Sequence, residues 1–378
     1  MKRWEISAFQ AGWLTAGAVV LTGHALAVTH FMQAGGRDAW ISGLINMPLL
    51  FLAAWSLYRL RLIFPRDTIV QYLPKVLGVV GYPVAAIYVT FLFGAVLFTL
   101  RMTTDWMVDS ILPETPALVI SGLYMAAVVY AALSGLDVLA RINQFTLPLL
   151  ALLGMTVSVS TMQAKDYRLL FPLLEKGPWP LLSASVLALG FFGETSIMGM
   201  YDAYVLPEDR KKLFRAYIFP LLFIVTTFTG PLAGSIATLG HRVAADMPYP
   251  TFQHWLMVSY ARFFERTDLL AVHQWLAGAY VRSGIFLLMA VHGLYQLFSR
   301  TTLQKRLPAK WLIPGAAAAL VALSEKAIPS QPVFDTFVLS IYLPTTACLG
   351  ILLPPLLLAI AWIRGLTRTK RGAQTHGA

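Results

Sequence analysis

Leu181–Gly199 has the sequence LLSASVLALGFFGETSIMG, an apolar run that contains a single carboxylate, Glu194. A charge inside a membrane-length segment costs several kcal/mol unless it meets a partner, water or a ligand. Gly190 and Gly193 precede the carboxylate and mark a place where a helix can open. The stretch therefore predicts an interrupted membrane helix that carries a charge at its interruption.

The composition of the whole chain places this stretch in a membrane. Of the 378 residues, 57% are hydrophobic and 12% are charged, against about 25% charged residues in soluble proteins. Because roughly 20 apolar residues span a bilayer as a helix, the apolar runs predict an all-α integral membrane protein with ten transmembrane helices. The runs lie at about 9–31, 39–58, 79–100, 117–134, 143–162, 180–201, 216–239, 269–297, 311–324 and 336–362.

The distribution of basic residues predicts the topology. With ten helices and a cytoplasmic N-terminus, 19 of the 29 Lys and Arg residues fall in inner segments and nine in outer segments, with Arg282 inside a helix. This excess is the expected positive-inside signal. The ninth run is short, with 14 uncharged residues between Lys310 and Glu325. We nevertheless expect it to cross, since both termini, including a basic tail at 364–378, then lie in the cytoplasm.

Ten helices divide into two halves of opposite topology within a single transmembrane domain. Repeat one covers about 6–162 and repeat two about 178–364. The first helix of each half carries central glycines: Gly17 and Gly23 in one, and the two glycines of the opening stretch in the other. Inverted repeats with interrupted first helices are a transporter architecture with its site at the midplane. Close helix packing is the alternative reason for any one of these glycines.

The sequence contains no pattern typical of an enzyme. Cys348 is the single cysteine, so neither a disulfide within the chain nor a thiolate metal site is expected. The seven histidines show no HExxH spacing, and no phosphate-binding GxxxxGK[ST] loop is present. The basic residues form no stripe interleaved with aromatics, which argues against nucleic-acid binding. We expect no catalytic residue, cofactor or metal.

Glu194 and Arg282 are the two charges predicted to lie deepest in the membrane. An intramembrane arginine nearly always faces a partner or water, and Glu194 is the simplest partner for it. An Arg282 that snorkels toward the inner interface is the alternative. Glu194 could equally be a structural carboxylate, a group that neutralises a ligand ammonium, or a proton acceptor that gates the helix.

Three other features have both a plain and a functional interpretation. Arg101 and Asp105, spaced i and i+4, form either a solvated helix end or the lining of a vestibule. His24 is either a proton carrier or a histidine held by its own helix. The outer segment 240–267 has aromatic residues at helical spacing and predicts an amphipathic helix, which anchors in the interface or caps an outer vestibule.

Several short motifs occur in an order and at a spacing that match one known family. They are AGGRDAW at 34–40, Phe64-Pro65 with Thr68, LPETP at 112–116, GLDVLAR at 135–141, FGE at 192–194, YPT at 249–251, and FERTD at 264–268 followed by Trp275. On these motifs, the first 300 or so residues of the chain resemble the B subunits of spore germinant receptors. These form the endospore germination permease family of the amino acid–polyamine–organocation superfamily.

The resemblance implies a LeuT-like core in which helices one and six are broken. It also implies a small nutrient, typically an amino acid, bound between helices one, three, six and eight, together with partner A and C subunits and a place in the spore inner membrane. The ligand-binding positions that it implies are Thr15, Ala16, Gly17, Ala18, Phe93, Leu97, Gly190, Gly193, Glu194, Gly278 and Ser283, with Arg282 as the buried counter-charge.

Three functions are compatible with such a fold. A receptor subunit would bind a nutrient, shift a two-state hinge between helices one and six and pass the change to its partners. A secondary transporter would move an amino acid together with H⁺ or Na⁺. A scaffold with a degenerate site would only assemble the complex. One fold hosts many functions, so the preference for the receptor rests on the resemblance.

Overall fold

The computed structural model describes residues 4–21, 23, 28–258, 268–298, 309–328 and 330–366, which are almost entirely helical. Eight helices in this part of the chain are long and apolar enough to cross a membrane. The predicted all-α membrane fold is therefore confirmed.

The helices follow one another with short connections, and several pairs are separated only by a turn. The last of them is a single long helix with two π-helical segments inside it. In chain order the helices are α1 (Ala8–Leu21), α2 (Val28–Gly35), α3 (Ser42–Ile63), α4 (Ile69–Leu77), α5 (Gly81–Ser110), α6 (Ala117–Ser134), α7 (Leu136–Ser160), α8 (Trp179–Gly193), α9 (Met198–Tyr201), α10 (Leu213–Leu239), α11 (His241–Asp246), α12 (Pro250–Met257), α13 (Asp268–Leu297), α14 (Ala309–Ala327) and α15 (Gln331–Ile363).

The number of membrane crossings differs from the simple count of apolar runs. Helix α1 has 14 residues, which is shorter than a full span. The ninth run forms α14, a helix of 19 residues that is not among the eight long apolar helices. The predicted number of ten spans thus stays a prediction.

The first apolar run contains two helices. Helix α1 ends at Leu21 and α2 begins at Val28, with Gly23 the one described position between them. A Cβ atom at Gly23 would come within 2.4 Å of the Phe191 ring, so the chain passes close to α8 at this point. His24, interpreted above as either a proton carrier or a histidine held by its own helix, lies outside the described residues.

The opening stretch is interrupted at the carboxylate, as its glycines predict. Helix α8 ends at Gly193, a 3₁₀ turn covers Glu194–Ile197, and α9 follows. A 3₁₀ turn inside a helix is tighter than the α-helix and often marks a hinge. The interruption is therefore a change of helical pitch, from α to 3₁₀ and back, within one continuous helical segment, Trp179–Tyr204.

Prolines explain the irregular shape of α15. Its π-helical segments, Phe337–Tyr342 and Cys348–Leu352, are each followed within two residues by a proline, Pro344 or Pro354. A proline inside a helix cannot donate to the carbonyl four residues earlier, and its ring clashes with that carbonyl. A π turn accommodates the lost bond and re-aims the side chains beside it.

Two helices occupy the centre of the molecule. Helix α1 packs against α7, α10 and α13, while α13 packs against α5, α6 and α7 as well. Both are buried along most of their length; Phe286 and Leu287 of α13, for example, are fully buried. Around Ala18 of α1 and Phe286 of α13, the two helices are consequently enclosed by protein.

The outer segment does contain the predicted helix, but part of its apolar face is turned into the protein. Phe252 and Trp255 of α12 are buried, whereas Leu256 is exposed. Phe252 packs edge-on against Trp106, which in turn stacks on Trp275 with ring centroids 4.3 Å apart. In the described part of the segment, α12 covers Trp106 on one side and exposes Leu256 on the other. Both interpretations of the segment, an interfacial anchor and a cap of an outer vestibule, stay predictions.

Helices α8 and α15 cross at very short range, and glycine makes this possible. A Cβ atom at Gly193 would lie 2.2 Å from the Thr346 carbonyl oxygen, and one at Gly350 would lie 1.9 Å from the Gly193 carbonyl oxygen. Backbone atoms cannot move aside as a flexible side chain can. Substitution by any residue with a Cβ atom must separate the two helices.

We predict that Gly350→Ala destabilises the protein by about 1–3 kcal/mol, the usual effect of overpacking a core, because the new methyl group meets backbone. A clear fall in the melting temperature of the purified protein in detergent is the expected result. Gly122→Ala is the matched control, since a Cβ atom at Gly122, in the middle of α6, meets nothing within 4 Å. A melting temperature equally unchanged in both variants would contradict the close crossing.

Candidate functional site

The two deepest charges of the chain form a bidentate ion pair. Arg282 of α13 donates from Nη1 to Glu194 Oε2 at 2.6 Å and from Nη2 to Glu194 Oε1 at 2.8 Å. Both side chains are 0% exposed. The pair joins α13 to the 3₁₀ turn that interrupts the sixth apolar run.

All five N–H groups of the arginine have an acceptor. In addition to the carboxylate, Nε donates to Thr99 Oγ1 of α5 at 2.8 Å, Nη1 donates to the Ala18 carbonyl of α1 at 2.5 Å, and Nη2 donates to the Tyr342 hydroxyl of α15 at 3.4 Å. A guanidinium has five donors in a rigid planar fork. The surroundings of Arg282 thus match the complete fork, and we call these residues, Ala18, Thr99, Glu194, Arg282 and Tyr342, the central cluster.

Tyr342 closes the cluster on the side of α15. Its hydroxyl donates to Glu194 Oε1 at 2.5 Å while it accepts from the arginine. Phe98 stacks on its ring with centroids 5.1 Å apart, which fixes the ring plane. Tyr342 is the last residue of the first π-helical segment. The widened turn therefore ends at the residue whose hydroxyl contacts Glu194.

The face of the guanidinium is also covered. Cζ of Arg282 lies 4.8 Å from the centroid of the Phe286 ring, one turn further along α13. Such a cation–π contact contributes more when it is shielded from water, as it is here. The charge is therefore enclosed by a carboxylate, neutral oxygens and an aromatic face.

The central cluster connects five separate parts of the fold. Each group in it would be costly alone, because a buried charge or polar atom without a partner loses its hydration. Separating Glu194 from Arg282 requires a replacement partner for each. The arrangement holds the two interrupted helices, α1 and α8, against α5, α13 and α15.

A second set of contacts holds the interrupted helices at Thr15 and Tyr201. The hydroxyls of Thr15 on α1 and Tyr201 on α9 lie 2.5 Å apart. Tyr88 of α5 donates to the Ser196 carbonyl at 2.8 Å, which satisfies an acceptor in the 3₁₀ turn. The turn is therefore held by Tyr88 at Ser196 and by Tyr342 at Glu194.

The N-terminal segment adds a backbone clasp at the same end. Ile6 pairs with Val205 in a parallel β-bridge, with its N–H donating to the Tyr204 carbonyl at 3.0 Å and its carbonyl accepting from the Leu206 N–H at 3.0 Å. Tyr204 also bonds His292 of α13. The start of α1 and the chain after α9 are thus fastened to one another and to α13.

The predicted glycines lie at helix contacts. A Cβ atom at Gly17 would come within 2.0 Å of the Asn143 amide on α7, and one at Gly190 would come within 2.7 Å of Leu343 on α15. Gly193 lies at the crossing with α15 described above. Their packing role is visible in these distances, and a role in ligand contact stays a prediction.

The remaining predicted positions are spread around the centre. Ala16 is fully buried, Leu97 is buried and Phe93 is half-buried. Ser283 lies 2.7 Å from the Tyr124 hydroxyl, on a different side of α13 from the guanidinium. Gly278 lies beside Leu21. Of the predicted positions, the structure brings Ala18, Glu194 and Arg282 into direct contact.

Sequence reasoning did not identify Thr99 and Tyr342. Thr99 lies two residues beyond Leu97, one of the two positions on α5, with Phe93, for which the resemblance implies ligand contact; that contact stays a prediction. Tyr342 lies in the tenth apolar run, for which no site residue was proposed. A count of donors would have indicated that Arg282 needs neutral acceptors besides a carboxylate, though not which helix supplies them.

Arg101 and Asp105 form the i and i+4 ion pair that their spacing predicts, with both side chains 16% exposed. Whether they line a vestibule stays a prediction. Arg101 Nε donates to Asp105 Oδ2 at 2.8 Å, and Nη1 donates to the Ile328 carbonyl at 2.9 Å. Tyr249, outside the spans, donates to Asp109 at 3.3 Å, and burial together with that carboxylate raises the pKa of the Tyr249 hydroxyl.

Among the described residues, no group of three or more His, Cys, Asp and Glu side chains could hold a metal ion.

We predict that replacing one member of the Glu194–Arg282 pair destabilises the protein more than replacing both. Glu194→Gln or Arg282→Met alone leaves one buried charge and costs about 3–5 kcal/mol, so each variant gives a low melting temperature and a poor yield of folded protein. The double variant Glu194→Gln/Arg282→Met recovers a large part of both losses, since no charge is left unpaired.

Lys75→Gln is the control for this comparison of the single and double variants. Lys75 pairs with Asp67 at 2.6 Å but is 53% exposed, and loss of an exposed ion pair costs no more than about 1 kcal/mol. Simple additivity of the two central substitutions in a thermal-unfolding series would show that the charges do not depend on each other.

Solved structures similar to this fold are transporters. MhsT in complex with L-phenylalanine matches with a TM-score of 0.67 and 14% identity over 96% of this chain and 90% of that one. The nucleobase-cation-symport-1 family transporter Mhp1, in a closed conformation with bromovinylhydantoin bound, matches with a TM-score of 0.55 and 13% identity over 97% and 91%. At these identities the similarity establishes the fold, which is LeuT-like.

The sequence itself matches proteins of spore germination. Spore germination protein XB of Bacillus anthracis is 26% identical over 361 residues, 95% of this chain and 98% of the relative. Spore germination protein KB of Bacillus subtilis (strain 168) is 22% identical over 284 residues, 73% and 74% of the two chains. The family described as spore germination protein matches residues 5–329. The chain belongs to the spore germination protein family.

Proposed function

We propose that this protein is the nutrient-sensing membrane subunit of a spore germination receptor. It binds a small nutrient at the midplane, beside the central cluster, and signals to partner A and C subunits. It resides in the spore inner membrane with both termini in the cytoplasm. It performs no chemistry on the nutrient.

The observation that carries this proposal is the buried bidentate pair at the interruption of α8. A zwitterionic amino acid has one carboxylate and one ammonium, the same two charges that Arg282 and Glu194 present to each other. It can exchange partners with both and leave no buried charge unpaired, which is the costly state. An amino acid is therefore the ligand class that separates this pair at the lowest electrostatic cost.

A neutral nutrient, such as a sugar or a nucleoside, lacks this property. It offers hydrogen bonds but no counter-charge, so it would bind beside the intact pair. The fold neighbour MhsT was solved with an amino acid, L-phenylalanine, which agrees with the preference for an amino acid in a fold of this shape. We assign the amino acid class on the charge argument.

The link from binding to signalling runs through the interrupted helices. Glu194 belongs to the turn between α8 and α9, and the Ala18 carbonyl belongs to α1. Exchange of the carboxylate for a ligand frees both elements from α13 together. A ligand that prefers the separated state shifts the equilibrium toward it, and partner subunits respond to the new positions of α1 and α8.

The second candidate is a secondary transporter that moves an amino acid with H⁺ or Na⁺. The observation in its favour is the fold, because the solved structures it resembles are transporters. A third possibility is a scaffold whose site no longer binds. The three functions differ in two measurable properties, ligand binding and concentrative uptake.

We predict that one or more amino acids stabilise the purified protein against heat. Each of the twenty L-amino acids, glucose, fructose and inosine is tested singly by thermal shift. Binding to the native state alone stabilises it by RT ln(1 + [L]/Kd), about 2.7 kcal/mol at 100 times Kd. The shift is expected to vanish in Glu194→Gln/Arg282→Met and to persist in Lys176→Gln, an exposed outer residue. No shift with any compound would favour the scaffold.

We further predict that the protein does not concentrate its ligand. Proteoliposomes with an imposed proton or sodium gradient should equilibrate a labelled amino acid no faster than empty liposomes. Saturable uptake that exceeds equilibrium and collapses with the gradient would reject the receptor in favour of the transporter. Co-purification of A and C subunits with the tagged protein tests the assembly separately.

A further inference from the structure

A long apolar cleft of about 970 Å³ lies between α1, α7, α10, α12 and α13. Asn143 and Ser158 both line it and are 15 positions apart on α7. At about 1.5 Å per residue this is roughly 22 Å, most of the roughly 30 Å of hydrocarbon in a bilayer. The cleft therefore has the length of an extended chain, far more than a small nutrient requires.

The cleft opens sideways between α7 and α10. Leu152 and Met155 on α7 are 60% and 66% exposed, and Phe219 and Leu222 on α10 are 60% and 42% exposed; all four line the cleft. Both helices are long enough to cross the membrane. Exposed apolar side chains at this depth meet hydrocarbon, so the entrance faces the acyl chains of the bilayer.

A positive charge lies at one end of the cleft. Lys165 donates to the carbonyl of Ser158 at 2.8 Å and to its hydroxyl at 3.3 Å. It has no carboxylate partner among the ion pairs of the described residues, and its neighbour Asp166 pairs with Arg168 at 2.8 Å. The ammonium is thus held at the rim without a counter-ion from the described part of the chain.

His254 provides a second polar group at the same end. It lines the cleft, is 7% exposed, and its Nε2 atom has no hydrogen-bond partner within the described residues. Burial, together with the nearby Lys165, lowers the pKa of His254 to about 4. The imidazole is neutral at physiological pH, so it offers a hydrogen bond without adding a charge.

We propose that this cleft binds an anionic phospholipid, with one acyl chain between α7 and α10 and the phosphate at Lys165. The apolar wall and the lateral entrance fit the chain, and the unpaired ammonium and the free imidazole nitrogen fit the head group. Charge complementarity favours an anionic lipid over a neutral partner helix. The inference does not depend on the nature of the nutrient.

The position of the cleft connects the lipid with the central cluster. Gly17 of α1 and Gly278 of α13 are part of its wall, while the adjacent Ala18 carbonyl faces Arg282. One helix, α1, therefore separates the acyl chain from the ion pair. Occupation of the cleft supports α1 in the position in which the cluster is complete.

The test compares two lipids with the same chains. The full-length protein in detergent is titrated with dioleoyl phosphatidylglycerol and with dioleoyl phosphatidylcholine, and lipid retention is measured by native mass spectrometry alongside the melting temperature. Phosphatidylglycerol is expected to remain bound and to raise the melting temperature at least twice as much as phosphatidylcholine. Equal shifts and equal retention for both lipids would overturn the proposal.

Two variants test the two ends of the lipid. Lys165→Gln removes the phosphate partner and should abolish the preference for phosphatidylglycerol. Gly230→Leu fills the cleft, since a Cβ atom at Gly230 meets nothing within 4 Å, and should reduce retention of both lipids at least several-fold. Full lipid retention in Gly230→Leu, or an intact preference in Lys165→Gln, would contradict the assignment.

The controls are matched to these variants. Gly122→Leu adds the same side chain on α6, at an exposed glycine that does not line the cleft, and Lys176→Gln removes an exposed outer charge. Both are expected to bind lipid as the unmodified protein does. A specific cross-link from Leu152→Cys to a helix of a co-purified subunit would instead assign the cleft to a protein partner.

Discussion

The structure depends on one requirement, that five N–H groups of a fully buried arginine all find acceptors. Water cannot supply them at this depth, and an unsatisfied donor or charge there is expensive. Arg282 obtains its acceptors from α1, α5, α15 and the turn after α8, so four parts of the chain must converge on α13. A substitution at any one of these positions alters the hydrogen bonds that Arg282 makes with the others.

The backbone irregularities of the fold follow from this convergence. The 3₁₀ turn at Glu194 places the carboxylate within hydrogen-bond distance of both terminal nitrogens of the guanidinium, and the π turn before Pro344 brings the Tyr342 hydroxyl to the same carboxylate. Gly193 and Gly350 allow α8 and α15 to approach closely enough for both contacts. Glycine and proline thus act here through geometry, and they shape the site without touching its charges.

The sequence alone predicted the membrane class, the interrupted sixth run and the partner of Arg282, because a lone buried charge has few solutions. It could not predict the acceptors Thr99 and Tyr342, since neutral hydroxyls are common in apolar helices and their register depends on packing. For the segment 240–267 the sequence left two interpretations open, an interfacial anchor and a cap of an outer vestibule; in α12, Phe252 packs on Trp106 while Leu256 is exposed. Amphipathic spacing does not distinguish a lipid surface from a protein surface.

The central claim is that a nutrient exchanges with the Glu194–Arg282 pair. The most direct measurement is magnetic-resonance detection of the Arg282 guanidinium nitrogens in ¹⁵N-arginine-labelled protein in bilayers, assigned with the Arg282→Met variant. We predict that an equimolar mixture of the twenty L-amino acids shifts these resonances, and that the mixture without the stabilising amino acid does not. Binding of that amino acid with unchanged Arg282 resonances would contradict the exchange and leave the pair a purely structural element.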